Sequence, residues 1–350
     1  MKKKILIINK TQFGYLTDSV KWCEYLRKNY DVSLVCLDEK KEKIKIEGIK
    51  IQYVPFVLFC HIGAVLYLIN CLFRILFFDG IIFVVFFHGC GILKKFFSGK
   101  QMILDIRTLS VSESYFERKK MNNEIKQCAL IYDKVSVVSE GVKNILELNK
   151  AFILPLGSDV ISTKLKSFGD TIDLLYVGTL LNRKIEKTLY GLRNFIDFNQ
   201  AIKIHYDIIG DGPNGELEKL VEISRNLGLD KYVTFHGRLP HCELNSFFDV
   251  CNVGVSFVPI TDYYQYQPPT KTFEYVLSGL YCIATDTFSN REVINDQCGI
   301  LIKDSSDAFC EGLNTIIKRR DKISSVKISA QLQYYRWSNI LEKYLLPVIG

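Results

Sequence analysis

Lys271 and Glu274 stand three residues apart in the run Tyr263–Thr285, YYQYQPPTKTFEYVLSGLYCIAT. A short apolar strand, VGVSFVP, precedes the run, and Pro268 and Pro269 block regular structure after it. Thr270 is placed to cap a helix, Gly279 to stop it, and YCIAT reads as a buried strand. A helix N-terminus therefore opens at the carboxyl end of a strand, where an open α/β sheet binds ligands. The amides and dipole there suit an anion, and Lys271 adds a point charge for phosphate. Glu274, one turn on, can accept two hydroxyls, as a ribose offers. The competing reading is a capped surface helix with an exposed i, i+3 ion pair.

Arg183 and Lys184 follow the apolar strand IDLLYVGTL, in or just before the first turn of the next helix. Two cations on such a loop can neutralise the charge that grows on a departing diphosphate. Against this stands a solvated basic turn. Gly210-Asp-Gly-Pro-Asn-Gly215 is a literal GxGxxG and suggests a dinucleotide. That reading needs an acid at the end of the next strand, where His236-Gly237-Arg238 stands instead. Arg107 ends the strand MILDIR, so its side chain should point into a cleft and hold a phosphate; it cannot act as a base. His88 ends the preceding strand, and Gly14 lies in the first strand-to-helix loop, where a ligand could approach the backbone. No Asp-x-Asp, paired-cysteine spacing, Walker loop or GxSxG elbow occurs.

These residues need a scaffold, and the apolar rhythm supplies one. Strands and helices alternate twice, with strands at Lys4–Asn9, VSLVCLD, GIKIQYVPF, Gly80–Phe87, MILDIR, KVSVVSE and AFILPLG in the first half. Helices are expected at Ser19–Arg27, about His61–Phe78 and Asn122–Tyr132, with a polar hairpin, KEKIKIE, before the third strand. Residues 158–171 lose the rhythm and read as a linker. The expected domains are 1–157, with the last helix 334–350 packing back on it, and 172–333.

The 350 residues carry a net charge of +7, too diffuse for a nucleic-acid footprint but suited to acidic lipid or phosphorylated substrates. Eleven cysteines, an odd number mostly set in apolar runs, read as reduced core thiols and imply a cytoplasmic chain. The apolar stretch after Lys2–Lys4 is too short for a signal peptide. Ile51–Phe73 has no Lys, Arg, Asp or Glu, and it has three readings: a spanning helix, a surface-bound apolar helix, or plain core. Pro55 and Arg74 divide and close it, which argues against spanning. Lys94-Lys95, Phe96-Phe97 and Arg118–Lys120 favour peripheral membrane contact through this half.

PPTKTFEY, Glu274, Gly279 and Ile283-Ala284 resemble the nucleotide-sugar segment of retaining glycosyltransferase family 4, in its bacterial surface-polysaccharide type. The resemblance implies a GT-B fold: two Rossmann-like domains facing across a cleft, with the C-terminal helix crossing back to the first. It implies a donor, UDP- or GDP-linked, on the second domain near Gly178, Thr179, Gly212, Arg238, Leu239, Thr270, Lys271 and Glu274. Lys184, with Arg183 and Arg107, would be catalytic, and a glycan or polyprenyl-linked acceptor would lie by Gly14 and His88. No cofactor and no metal are expected, nor any nucleic-acid partner. The chain would act in the cytoplasm, at the inner face of the membrane. The family is thought to react on one face of the sugar, with the leaving diphosphate assisting deprotonation of the acceptor. Two positions depart from its pattern: Thr179 follows Gly178 where an Arg is usual, and Tyr266 stands eight residues before Glu274 where a second Glu is usual. These departures keep two alternatives open, a nucleotide-sugar epimerase or hydrolase and a degenerate, non-catalytic subunit.

Overall fold

The structure is a computed structural model that describes residues 2–55 and 60–349. Residues 56–59 of the long apolar run lie outside the described residues. The chain divides into two units, Met1–Leu156 with Trp337–Gly350, and Gly157–Arg336. Each is a parallel sheet with helices.

The first unit holds β1 (Lys3–Ile8), β2 (Tyr30–Asp38), β3 (Ile49–Pro55), β4 (Ile81–Val85), β5 (Met102–Ile106), β6 (Lys134–Val137) and β7 (Phe152–Ile153). Their order is β3-β2-β1-β4-β5-β6-β7, all parallel. Ile5 to Ile8 are fully buried, as a central parallel strand requires. The order reverses between β1 and β4, so the loops after these strands, which carry Gly14 and His88, part at the unit's switch point. The helix expected at Asn122 begins earlier, at Tyr115, because Ser114 caps it by accepting from the Glu117 amide. KEKIKIE forms no strand. The final segments, Trp337–Ile340 through Leu346–Ile349, reach the sheet's base, where Lys134 Nζ donates to the Val348 carbonyl at 2.9 Å.

The second unit holds β8 (Thr171–Val177), β9 (Lys203–Ile209), β10 (Val233–Gly237), β11 (Val253–Ser256), β12 (Tyr281–Thr285) and β13 (Gly299–Ile302). The order is β10-β9-β8-β11-β12-β13, again all parallel. Here the switch point falls between β8 and β11. Residues 158–171 are tied down rather than loose: the amides of Ile161 and Ser162 both donate to Ser278 Oγ.

Arg107 departs from expectation. Its side chain is only 8% exposed. Its Nε donates to Asp18 Oδ2 at 2.7 Å and its Nη1 to the Leu154 carbonyl at 2.6 Å, and the guanidinium lies over Trp22. A free, cleft-facing phosphate ligand is thus replaced by a buried ion pair with the first turn of helix Thr17–Leu26. Asp105, wholly buried, lies 3.7 Å away and accepts from Ser136. Burial pushes its carboxyl up to about 6, with Arg107 opposing. A carboxyl raised in the folded state holds its proton there more tightly than when unfolded. Its contribution is therefore present below pH 4 and lost as pH rises towards 6. Asp105→Asn should gain on the parent across that window by on the order of 2–3 kcal/mol. Urea unfolding of both proteins from pH 4 to 7 measures the difference, and parallel curves would contradict it.

Candidate functional site

The loops at the carboxyl ends of β8, β9 and β10 are laced together by their backbones. The Gly178 amide donates to the Ile209 carbonyl, Leu180 to Asp211 and Gly210 to Gly237, all at 2.8–3.0 Å. Gly210 has to be glycine, because a Cβ there would lie 1.8 Å from the Gly178 carbonyl oxygen. The GxGxxG run is thus spent on packing two loops together. Gly212 lies against Leu181 and Glu216, and one buried carboxylate oxygen of Glu216 has no hydrogen-bond partner.

Helix Thr270–Leu277 starts beyond β11, the neighbour of β8. Thr270 is its first residue and not its cap: Pro269 holds the cap position and no side chain caps the helix. Tyr275 fixes this helix to β8, its hydroxyl accepting from the Val177 amide at 2.8 Å, and Gly254 on β11 leaves room for the ring. That bond holds the backbone one residue before Gly178.

Lys271 is buried, 8% exposed, and is not half of a surface ion pair. Its Nζ lies 3.6 Å from the centre of the Tyr176 ring and 3.0 Å from where a Cβ on Gly178 would sit. No hydrogen-bond partner reaches it. Arg183 is turned inward between Asn182 and Lys184, both with φ of 55°. Its guanidinium stacks 4.3 Å from the Tyr264 ring, and its buried Nη1 also has no partner. Burial holds the Lys271 amine well below the usual lysine range; the Arg183 charge adds to this and Glu274 opposes it. Two buried cationic groups without acceptors, at a helix N-terminus and a sheet switch point, form a site lacking only an anion.

Glu274 is partly accessible, and His241 Nε2 lies 3.9 Å from its Oε1. Gly178, Arg183, Lys271 and Glu274 are therefore brought together. Lys184 is exposed, and the charges that act on Lys271 are those of Arg183 and Glu274. Thr179 contributes its carbonyl, which accepts from the Tyr176 hydroxyl at 2.6 Å. Arg238 is exposed and Leu239 half-buried just past β10. Sequence reasoning did not single out Tyr176, Tyr264, Glu216 or His241. The tyrosines' signal was their place beside the strand ends, but an aromatic there reads equally as core.

On the first unit, His88 is exposed and its Nδ1 pairs with Glu124 Oε1 at 2.8 Å. Gly14 adopts φ +100°, and the Ile44 side chain packs against it, its Cδ1 2.4 Å from where a Cβ would sit.

Residues 171–319 match the family model described as glycosyl transferases group 1. The match lies within the second unit. Solved structures agree on the fold across the chain. Sucrose-phosphate synthase from Thermosynechococcus elongatus superposes with TM-score 0.76 at 14% identity, over 98% of this chain and 97% of that one. HepE from Anabaena, in complex with UDP, gives 0.74 at 13% identity over 98% of each chain. WaaG, a glycosyltransferase involved in lipopolysaccharide biosynthesis, gives 0.67 at 13% identity, over 99% and 97%. No curated protein matches the chain. Together the domain match and the fold support a GT-B glycosyltransferase.

Lys271→Met should separate stability from binding. A lysine with a lowered folded value gives up stability as pH falls through that value, so the uncharged variant should be more stable than the parent at neutral pH. The same change removes a charged hydrogen bond to phosphate, at least tenfold in affinity at roughly 1.5–3 kcal/mol. Thermal unfolding of the empty protein and titration with UDP would show opposite signs. A loss of both would make Lys271 merely structural.

Proposed function

We propose that the chain is a retaining, metal-independent glycosyltransferase. It moves a hexose from a nucleoside diphosphate sugar to a glycan or polyprenyl-linked acceptor in surface polysaccharide synthesis. One observation carries the reading: Arg183 and Lys271 present unpartnered donors at the switch point of a unit matching glycosyl transferases group 1. Uridine is the favoured base, since the similar HepE was solved with UDP and with UDP-glucose.

In this reading the diphosphate rests against Gly178 and the first turn of helix Thr270–Leu277, between Arg183 and Lys271. As the bond from the anomeric carbon to the diphosphate oxygen breaks, negative charge builds on the leaving group. Arg183 and Lys271, already held by Tyr264 and Tyr176, meet that charge with little reorganisation, the anion itself favouring the protonated lysine, which lowers the barrier. The acceptor oxygen bonds to the same face of the sugar and its proton passes to the departing phosphate oxygen. Glu274 accepts from the ribose hydroxyls. Thr179 leaves the loop without the usual arginine, and Lys271, lying against Gly178, returns a cation to that place. This favours an active enzyme over a degenerate subunit. On the first unit, His88 at the switch point is the acceptor-side candidate.

Nucleoside diphosphates should raise the unfolding temperature, UDP most. At a hundred times its dissociation constant the ligand adds about 2.7 kcal/mol. No shift with any of them would end the donor reading. Glu274→Ala should cost at least tenfold in turnover, from two hydrogen bonds of roughly 1–3 kcal/mol each. Unchanged turnover would remove Glu274 from the ribose. Product analysis with donor alone, and then with acceptor, distinguishes transfer from epimerisation or hydrolysis.

A further inference from the structure

Three successive connections in the first unit, from β3 to β4, β4 to β5 and β5 to β6, step across the sheet in one direction. Right-handed crossovers put their helices, Cys60–Leu76, Gly91–Phe96 and Tyr115–Ala129, on one face. Side chains confirm a continuous layer: Cys128 Sγ lies 3.4 Å from the Cβ position of Gly91, and the first two helices touch.

Helix Cys60–Leu76 seats one side on the sheet through Tyr67, Cys71 and Ile75, all 1% exposed or less. The opposite side of such a helix is ordinarily polar. Here it is apolar as well. Val65, Ile69, Phe73 and Leu76 recur at helical spacing with more than half their surface exposed, and Phe77 follows at 73%. The Phe73 and Phe77 rings meet edge to face at 5.0 Å. Phe96, 71% exposed, extends the patch from the neighbouring helix.

Charge on this patch is mostly basic. Arg74 and Lys95 are exposed among the aromatics, and from residue 60 to 104 the one acid is the exposed Asp79. A second copy of the chain would set Arg74 and Lys95 against themselves, with Asp79 alone to offset them. An anionic bilayer instead meets both parts, with lipid tails taking the aromatics and headgroups the cations. The helix has 17 residues and ends with Arg74 in its last turn, and no helix among the described residues is long and apolar enough to cross a membrane. A helix of this kind lies in the interface.

We propose that the outer side of helix Cys60–Leu76, with Lys95 and Phe96 beside it, docks the first unit on an anionic lipid bilayer. The proposal stands apart from the donor reading, though it would bring this unit to where a polyprenyl-linked acceptor resides. Flotation of the full chain with phosphatidylcholine vesicles, and with vesicles rich in phosphatidylglycerol, tests it. The chain should float with the anionic vesicles only, and high salt should release it. Phe73→Ser with Phe77→Ser, and separately Arg74→Glu with Lys95→Glu, should each weaken binding by about tenfold or more. Both pairs are exposed, and if the serine variant fails to fold the charge reversal still decides. Nucleotide-induced thermal shifts should survive in both variants, so a failed donor reading shows separately. The proposal falls if the parent ignores anionic vesicles, or if the folded variants float as well as it does. It also falls if the serine variant dissociates a dimer while lipid binding is unchanged.

Discussion

A lysine amine held out of water without an acceptor is the constraint around which the second unit is arranged. Lys271 has the Tyr176 ring on one side, Gly178 on another and the charge of Arg183 nearby. Burial and the Arg183 charge make the charged form harder to keep in the empty protein, against the pull of Glu274. Such an arrangement persists only when the surrounding fold over-determines it. Tyr275 does part of this by holding the end of β8, and Gly254 does part by making room for Tyr275. An anion entering beside Lys271 would return the stability given up there.

The same economy appears in the glycines. Gly178 leaves space that the Lys271 amine occupies, and Gly210 lets two loops approach closer than any side chain permits. The sheet order does the rest. Because β8 and β11 are neighbours whose crossovers leave in opposite directions, their loops part and expose the strand ends. The first unit repeats this at β1 and β4, but there Ile44 packs onto Gly14 and Arg107 is absorbed by Asp18. One scaffold is thus open for an anion in one unit and largely self-satisfied at the matching residues of the other.

Much of this was legible in the sequence because it rests on periodicity. Alternating apolar runs gave two parallel sheets, and the prolines before Thr270 gave the helix that opens at the site. What was not legible depends on where a side chain turns. Arg183 and Lys184 are equal candidates by spacing, and only the left-handed turns at Asn182 and Lys184 put the first inside and the second in solvent. Arg107 sits at a strand end as a ligand would, but Asp18, 89 positions earlier, claims it, and no local pattern announces that pair. The described part of the apolar run Ile51–Phe73 splits into the end of β3 and a helix from Cys60, and which side of that helix would stay uncovered was set by the crossover direction.

The two departures from the family pattern then have different weights. Thr179 removes a cation from the loop, yet charge at a phosphate depends on where the nitrogen lies and not on which element carries it. Lys271 reaches Gly178 from the facing helix, which puts a nitrogen within the same few ångströms. Tyr266 has no such substitute. Its ring stacks on Phe288 at 5.0 Å with planes 6° apart, and Gln265 beside it pins the Phe288 and Ser289 amides. A stacked phenol offers a neutral hydroxyl and a flat apolar face where a carboxylate would offer two charged acceptors. Hydrogen bonds to a neutral group are weaker and less selective than those to a charged one. The cationic groups beside Gly178 are therefore kept, while the position of the family's second Glu is the one at which this chain differs.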